Sequence, residues 1–326
     1  MSYTKSTLQK ATQTLESRRM KAQQIQLTRH AEAIAAIPEI IKLEADLSES
    51  GLKIIKAFGM GKDAQKYIEE LAVTNKSIQQ KIKELLTANG YPEDYLETPF
   101  TCKKCEDTGF VAGFSCECRK ELLKEIAKDA LSEVSQSKHC RFDNFNVDFY
   151  PEADADSPAV SPRKRMASVA EFCKCYAEDF DTDSASLFLH GATGLGKTHL
   201  SLAIANTVAE KGYNVIYDTA YNIVSALERE KFSHNNTGAK ENEYLDCDLL
   251  IIDDLGSEFA TQFTVAAVYN LINTRLNRSK PTIINTNLTA NELESKYTQR
   301  VTSRIAGNYQ NLFFLGKDIR QLKKNY

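Results

Sequence analysis

The sequence predicts an α/β protein: a parallel sheet flanked by helices, with a helical region ahead of it. Three observations predict this. A short apolar run, Ser186-Leu-Phe-Leu-His190, leads into a glycine-rich loop and then an apolar-faced helix from His199 to Asn206, ending near Gly212. From about Met166 onward, apolar runs alternate with helical stretches: Asn214-Val-Ile-Tyr217, Leu249-Leu-Ile-Ile252, Thr282-Ile-Ile-Asn285 and Asn311-Leu-Phe-Phe314. That alternation is the pattern of parallel strands joined by crossover helices. Residues up to about Asn89, by contrast, are rich in Ala, Leu, Ile, Lys, Glu and Gln, with apolar residues at helical spacings.

In the first region Ile40, Leu43 and Leu47 share one helix face, and Ile68, Leu71, Ile78, Ile82 and Leu85 form a second stripe. Pro38 is placed to start a helix and Asn89-Gly90 to close one. Gly59-Met-Gly61 is an expected break. These stripes suit the core of a bundle and leave an outer face that could dock a partner. A cysteine-rich segment, Phe100 to Cys118, precedes an expected helix over Arg119 to Val134. The acidic, Pro/Ser-rich stretch Tyr150 to Pro162 reads as a loop or linker, and His234 to Gly238 as a polar loop.

A chain of 326 residues suits two or three domains. Its net charge of −3 gives no global basic field, so any nucleic-acid binding must come from a local patch. The polar first residues are not a secretory signal, and no apolar run is long enough to span a bilayer. Eight cysteines without such a signal point to a reducing, cytoplasmic setting, in which clustered thiols favour metal over disulfides.

The loop Gly191-Ala-Thr-Gly-Leu-Gly-Lys-Thr198 fits the phosphate-binding pattern G-x-x-x-x-G-K-[ST]. Its glycines allow backbone N–H groups to turn toward a triphosphate, and the following helix N-terminus favours the anion. The expected ATP-binding set is Gly191, Ala192, Thr193, Gly194, Leu195, Gly196, Lys197, Thr198 and the adjoining His199. Lys197 is expected on the β- and γ-phosphates and the Thr198 hydroxyl on Mg²⁺. Leu249-Leu-Ile-Ile-Asp253-Asp254 is an apolar strand ending in two acids. Asp253 is expected to project toward the Mg²⁺ at Thr198, and Asp254 to polarise an attacking water. Asn287, beyond the tip of another strand, could contact the γ-phosphate or orient that water; it could instead bond the turn into the helix near Asn291. Arg300 and Arg304 lie on one expected short helix and Arg320 near the end, and spacing alone does not choose among them as a source of positive charge.

Cys102, Cys105, Cys116 and Cys118 have the spacing and softness for one tetrahedral Zn²⁺ with all four positions filled, a structural rather than a catalytic site. His139 or Cys140 could replace one ligand, and four unmetallated thiols are the alternative. Cys173, Cys175 and Cys247 read as helix or core thiols.

From Arg141-Phe-Asp-Asn-Phe145 through Arg320 the chain resembles the bacterial replicative-helicase loaders, the DnaC/DnaI family of AAA+ ATPases. The resemblance rests on GATGLGKTHL, LLIIDDLGSE, INTNL and Ser303-Arg304-Ile305. It implies an AAA+ fold, ATP hydrolysis, Thr286-Asn287 as sensor 1, Arg304 as an arginine finger acting across a subunit boundary, and Arg320 as sensor 2. Asp254 stands where many AAA+ proteins carry Glu. The cysteine segment is similar to the zinc-bearing amino-terminal region of Gram-positive-type loaders, which contacts the helicase. The implied organisation is a helical partner-binding region (1–99), a zinc segment and helix (100–140), a linker (141–165) and an AAA+ domain (166–326). Implied partners are a replicative helicase, single-stranded DNA and further copies of the chain through the AAA+ domain, with no membrane. Arg229, Lys231 and Phe232, within Tyr221 to Phe232, offer charge and a stacking surface to DNA, or are a solvated helix face. Two other functions share this core: an IstB-type transposition helper, and an adaptor that binds ATP and scarcely hydrolyses it.

Overall fold

The computed structural model describes residues 3, 5–57, 64–132, 139–153, 160–233 and 237–322. The expected break at Gly59 to Gly61, the middle of the acidic stretch (154–159), the end of the expected helix at Val134 and residues 234–236 lie outside the described residues. The chain forms two compact units: Thr12–Arg119, and Lys120–Tyr326 together with Met1–Ala11.

The helical periodicity of the amino-terminal region becomes α1 (Lys5–Ala36), α2 (Glu39–Ala57) and α3 (Ala64–Ala88). The two apolar stripes meet as expected. Ile40 and Leu43 pack with Ile82, Leu86 and Ala33, and Leu47, Ile78 and Leu85 border the same cluster. Pro38 stands just ahead of α2. Gly90 ends α3 at φ +81°, where Tyr91 N–H can bond back to the Leu86 carbonyl at 2.9 Å. The cysteine segment follows as a short antiparallel hairpin of β1 (Phe110–Val111) and β2 (Phe114–Ser115), then the start of α4 (Glu117–Ser132).

The second unit contains two 3-10 turns (Phe142–Asn144 and Val147–Phe149) and then α5 (Pro162–Glu178), β3 (Ser186–His190), α6 (Lys197–Glu210), β4 (Val215–Thr219), α7 (Ala220–Phe232) and α8 (Ala239–Asp246). It continues with β5 (Leu249–Leu255), α9 (Gln262–Asn277), β6 (Thr282–Thr286), α10 (Ala290–Asn308), β7 (Tyr309–Phe313) and α11 (Ile319–Leu322). The strands form one parallel sheet in the order β4-β5-β6-β3-β7. This is the parallel sheet flanked by helices that the sequence predicts. Pleating sends alternate residues to opposite faces. Leu249, Ile251 and Ile283 pack on one face with α5 and α6, while Leu250, Ile252 and Ile284 pack on the other with α7, α9 and α10. Strands buried on both faces are apolar throughout, which is why they read as continuous runs. The short helix expected around Arg300 is instead the second half of α10, whose backbone kinks at Thr298 (φ 71°, ψ 159°). Among the described residues no helix is long and apolar enough to cross a membrane.

Arg275 on α9 is fully buried with no acidic partner among its hydrogen bonds. Its guanidinium donates to the carbonyls of Tyr244 (2.7 Å), Cys247 (3.1 Å) and Pro281 (2.6 Å) and to Thr282 Oγ1 (2.9 Å). It therefore satisfies the end of α8 and the start of β6 at once. Arg275→Met keeps most of the volume and strands those carbonyls. A loss of about 3–5 kcal/mol is expected, from several unmade buried hydrogen bonds of roughly 1–3 kcal/mol each. The check is the urea midpoint of the full chain.

Candidate functional site

The glycine loop lies between β3 and α6, where β3 adjoins β6 and the chain crosses to the far edge strand β4. A parallel sheet opens a crevice at such a point, beyond the carboxyl ends of its strands. Here the crevice is a cavity of about 340 Å³ lined by Thr193 to His199, Asp254, Asn287 and Arg320, and by the segment around Asn144 and Phe145. Gly194 has φ +76°, and a Cβ there would lie 1.9 Å from Asp318 Oδ1. Gly196, at φ +85°, begins α6, and a Cβ there would meet the Phe145 ring at 2.9 Å. Both positions favour glycine because their φ is left-handed, and a side chain there would also have to displace Asp318 or Phe145. Ile319 N–H donates to Gly194 O at 3.1 Å, and Tyr150 Oη donates to Leu195 O at 2.8 Å.

Lys197 is buried, and its Nζ donates to Gly191 O and Ala192 O, both at 2.7 Å. Burial pushes its pKa down to about 8, with Arg320 adding to the shift and Asp254 and Asp253 opposing it. An ammonium held in so poorly solvated a place suits an anion as its partner. Thr198 Oγ1 donates to Asp253 Oδ2 at 3.0 Å, so the expected Mg²⁺ pair is in contact. A hydroxyl beside a buried carboxylate, next to a phosphate cradle, is the hard-oxygen donor set that Mg²⁺ takes.

Asp254 occupies a bulge in β5, where the register with β6 shifts between Ile252 and Leu255. Its φ of +50° is left-handed, a conformation Asp tolerates better than Glu. The bulge turns Asp254 to the cavity while Asp253 stays inside the sheet. Partial burial and the Asp253 charge raise the Asp254 pKa, opposed by Asn287, Lys197 and Arg320. Asn287 Nδ2 donates to Asp254 Oδ1 at 3.2 Å. The turn into α10 is bonded instead by Thr286 and by the Thr289–Glu292 capping box, so Asn287 faces the cavity rather than the turn.

Arg320 lines the same cavity. Arg304 is exposed on α10 and does not line it. His199 packs against Phe145 (5.5 Å between centroids) and bonds the Arg141 carbonyl at 2.9 Å, so it fixes the 139–150 segment on α6. Sequence reasoning missed Phe145, Tyr150, Tyr217 and Asn285. Tyr217 and Asn285 both donate to Asp253, the latter at 2.6 Å. A polar residue within the otherwise apolar strand Thr282-Ile-Ile-Asn285 was the available signal.

In the other unit the four expected cysteines come together, and neither His139 nor Cys140 joins them. Their sulfurs lie within 4.8 Å of one another, with Cys102–Cys116 at 3.8 Å and Cys105–Cys118 at 3.4 Å. Zn–S bonds of about 2.3 Å in a tetrahedron put sulfurs about 3.8 Å apart, so the set fits zinc. Left-handed Glu106 and Asp107 turn the knuckle, and the buried Asp107 carboxylate accepts from Thr101 N (2.8 Å) and Cys102 N (2.9 Å). Backbone N–H donation, led by Cys105, lowers the Cys102 thiol to about 7.

Residues 159–305 match the family described as IstB-like ATP binding protein. Over 170 residues the chain is 27% identical to the replicative helicase loader DnaC of Escherichia coli (strain K12), covering 52% of this chain and 63% of that protein. It is 27% identical over 208 residues to DnaC of Buchnera aphidicola subsp. Acyrthosiphon pisum, covering 63% of this chain and 78% of that protein. It is 28% identical over 249 residues to the chromosomal replication initiator protein DnaA of Aliarcobacter butzleri (strain RM4018), covering 75% of this chain and 52% of that protein. A crystal structure of the DnaC helicase loader superposes with a TM-score of 0.47 at 20% identity, covering 56% of this chain and all of that one. The chain thus spans 63% of the length of the E. coli loader it matches.

Proposed function

We propose that this chain, whose core is an IstB-like ATP-binding domain and whose relatives include DnaC-type helicase loaders, is an ATP hydrolase that loads a ring helicase onto single-stranded DNA. The observation that carries the reading is one crevice lined by a lysine-bearing phosphate loop and by Asp254, with a second carboxylate, Asp253, buried behind it and bonded to Thr198. In this reading Lys197, backbone N–H groups of the loop and the α6 N-terminus hold the triphosphate. Thr198 and Asp253 would hold Mg²⁺, which would supply positive charge beside the phosphates. Asp254, with its raised pKa, takes the proton of the attacking water, and Asn287 orients that carboxylate. Arg320 adds positive charge in the same subunit. Arg304 reaches the site of a neighbouring copy, which suits its exposure away from its own cavity.

DNA is assigned to a basic, aromatic surface on α7 and α9. Phe232 is 72% exposed, its ring is 6.1 Å from that of Phe263, and Lys231 Nζ lies 5.2 Å above Phe263. Stacking on such rings beside lysine is tolerant of base sequence. The helicase is assigned to the amino-terminal helical and cysteine-bearing regions, which lie outside the IstB-like match. The test is ATP turnover with and without single-stranded DNA, together with helicase transfer onto a DNA circle. DNA-stimulated turnover with transfer is expected. ATP binding without turnover would make the chain an adaptor. Stimulation of a transposase without helicase transfer would make it a transposition helper.

A further inference from the structure

Asp253 stands on β5 between β4 and β6. Its carboxylate accepts from both neighbours: Tyr217 Oη donates to Oδ2, and Asn285 Nδ2 donates to Oδ1 at 2.6 Å. Neither donor lines the nucleotide cavity. Strand register explains the meeting. Tyr217 and Ile283 are both opposite Ile251, so Tyr217, Asp253 and Asn285 share one face of the pleat. That face is covered by α6, which brings Thr198 and Ser201, one turn apart. Asn285 Nδ2 also donates to Ser201 Oγ at 2.8 Å, and Ser201 Oγ donates to Thr198 O at 3.1 Å. The residue carrying the hydroxyl and the carboxylate suited to the cation are thus linked by residues from two strands and a helix.

A carboxylate rotates freely about its terminal torsion, with broad, weakly defined minima. Donors from the two flanking strands, one on each oxygen, remove that freedom. Most buried polar atoms are paired, and Asn285 Oδ1 is one of five among the described residues that are not. Asn285 is 1% exposed, yet its Oδ1 has no hydrogen-bond partner.

We propose that Tyr217 and Asn285 are positioning residues for the divalent cation. They fix the Asp253 carboxylate in the orientation in which it and Thr198 would hold Mg²⁺. This rests on the nucleotide reading above. The experiment measures binding of a fluorescent ATP analogue to the full chain, in EDTA and across a Mg²⁺ titration. Tyr217→Phe is isosteric, and Asn285→Ala removes donor and acceptor together. In either variant the Mg²⁺ half-saturation should rise roughly 10- to 100-fold, the usual cost of losing an outer-shell partner, with metal-free affinity changed less than about twofold. A lowered melting temperature with unchanged Mg²⁺ half-saturation would make the network purely structural and overturn the proposal. Should one variant fail to fold, the other decides. A parent chain that takes up no nucleotide would instead sink the ATP reading itself.

Discussion

Replacing Lys197 by Ala or Met is expected to reduce ATP turnover by about two to three orders of magnitude, as removal of a single preorganised group facing developing charge does elsewhere. The same substitution should not weaken the fold. The ammonium is buried, its pKa is pushed from 10.5 to about 8, and its hydrogen bonds go to two loop carbonyls at the cavity edge. A cation whose folded pKa lies below its unfolded value opposes folding at pH 7. That opposition is relieved as pH rises from about 8 to about 10.5, because there the unfolded chain alone still binds the proton. Lys197→Met should therefore melt at or above the parent temperature at pH 7, with the difference shrinking at pH 9. Turnover, nucleotide affinity and melting at both pH values together check this. A variant that loses turnover only because it melts early would contradict it.

Local pattern made the phosphate loop, the five strands and the stripes of α2 and α3 legible. Each depends on residues close in sequence. Asp253 and Asp254 were legible as a pair but not as two different environments. The division comes from a bulge and a left-handed φ at Asp254, and nothing in the letters Asp-Asp distinguishes it from a straight strand end. That bulge gives a physical reason for Asp where a longer acid is commoner: Glu accepts positive φ less readily. Tyr217 and Asn285 were missed because their meaning depends on which strands adjoin β5, and strand order is not local. Phe145 and Tyr150 were missed as parts of the site for a related reason. They reach the loop from 51 and 45 residues earlier, each just after a 3-10 turn that no periodicity announces. Arg275 is the extreme case: an arginine in the sequence, a buried cap for two other elements in the fold.

Removing zinc should unfold the cysteine segment and leave nucleotide binding in place. One Zn per chain is expected by metal analysis, since the four sulfurs match the spacing of a closed tetrahedral site. The segment has little else to hold it. Its hairpin strands are two residues each, and Phe110, Val111 and Phe114 are exposed rather than packed as a core. Structural zinc contributes about 10–16 kcal/mol of apparent binding energy in isolated finger peptides, far more than two short strands supply. Cys105→Ser removes the buried ligand that also accepts the Gly109 N–H at 3.4 Å, so it breaks the metal site and the knuckle together. Chelator or that variant should expose the remaining thiols to titration and speed proteolysis near residue 110, with Lys197-dependent nucleotide affinity unchanged. Acid should act as the chelator does, because each ligand must lose a proton to bind and zinc is released as thiolates protonate. A folded chain with no zinc and four freely titrating thiols would reject the site. The knuckle would then be held by Asp107, whose carboxylate already ties Thr101 and Cys102, and Asp107→Ala would become the variant that melts the segment.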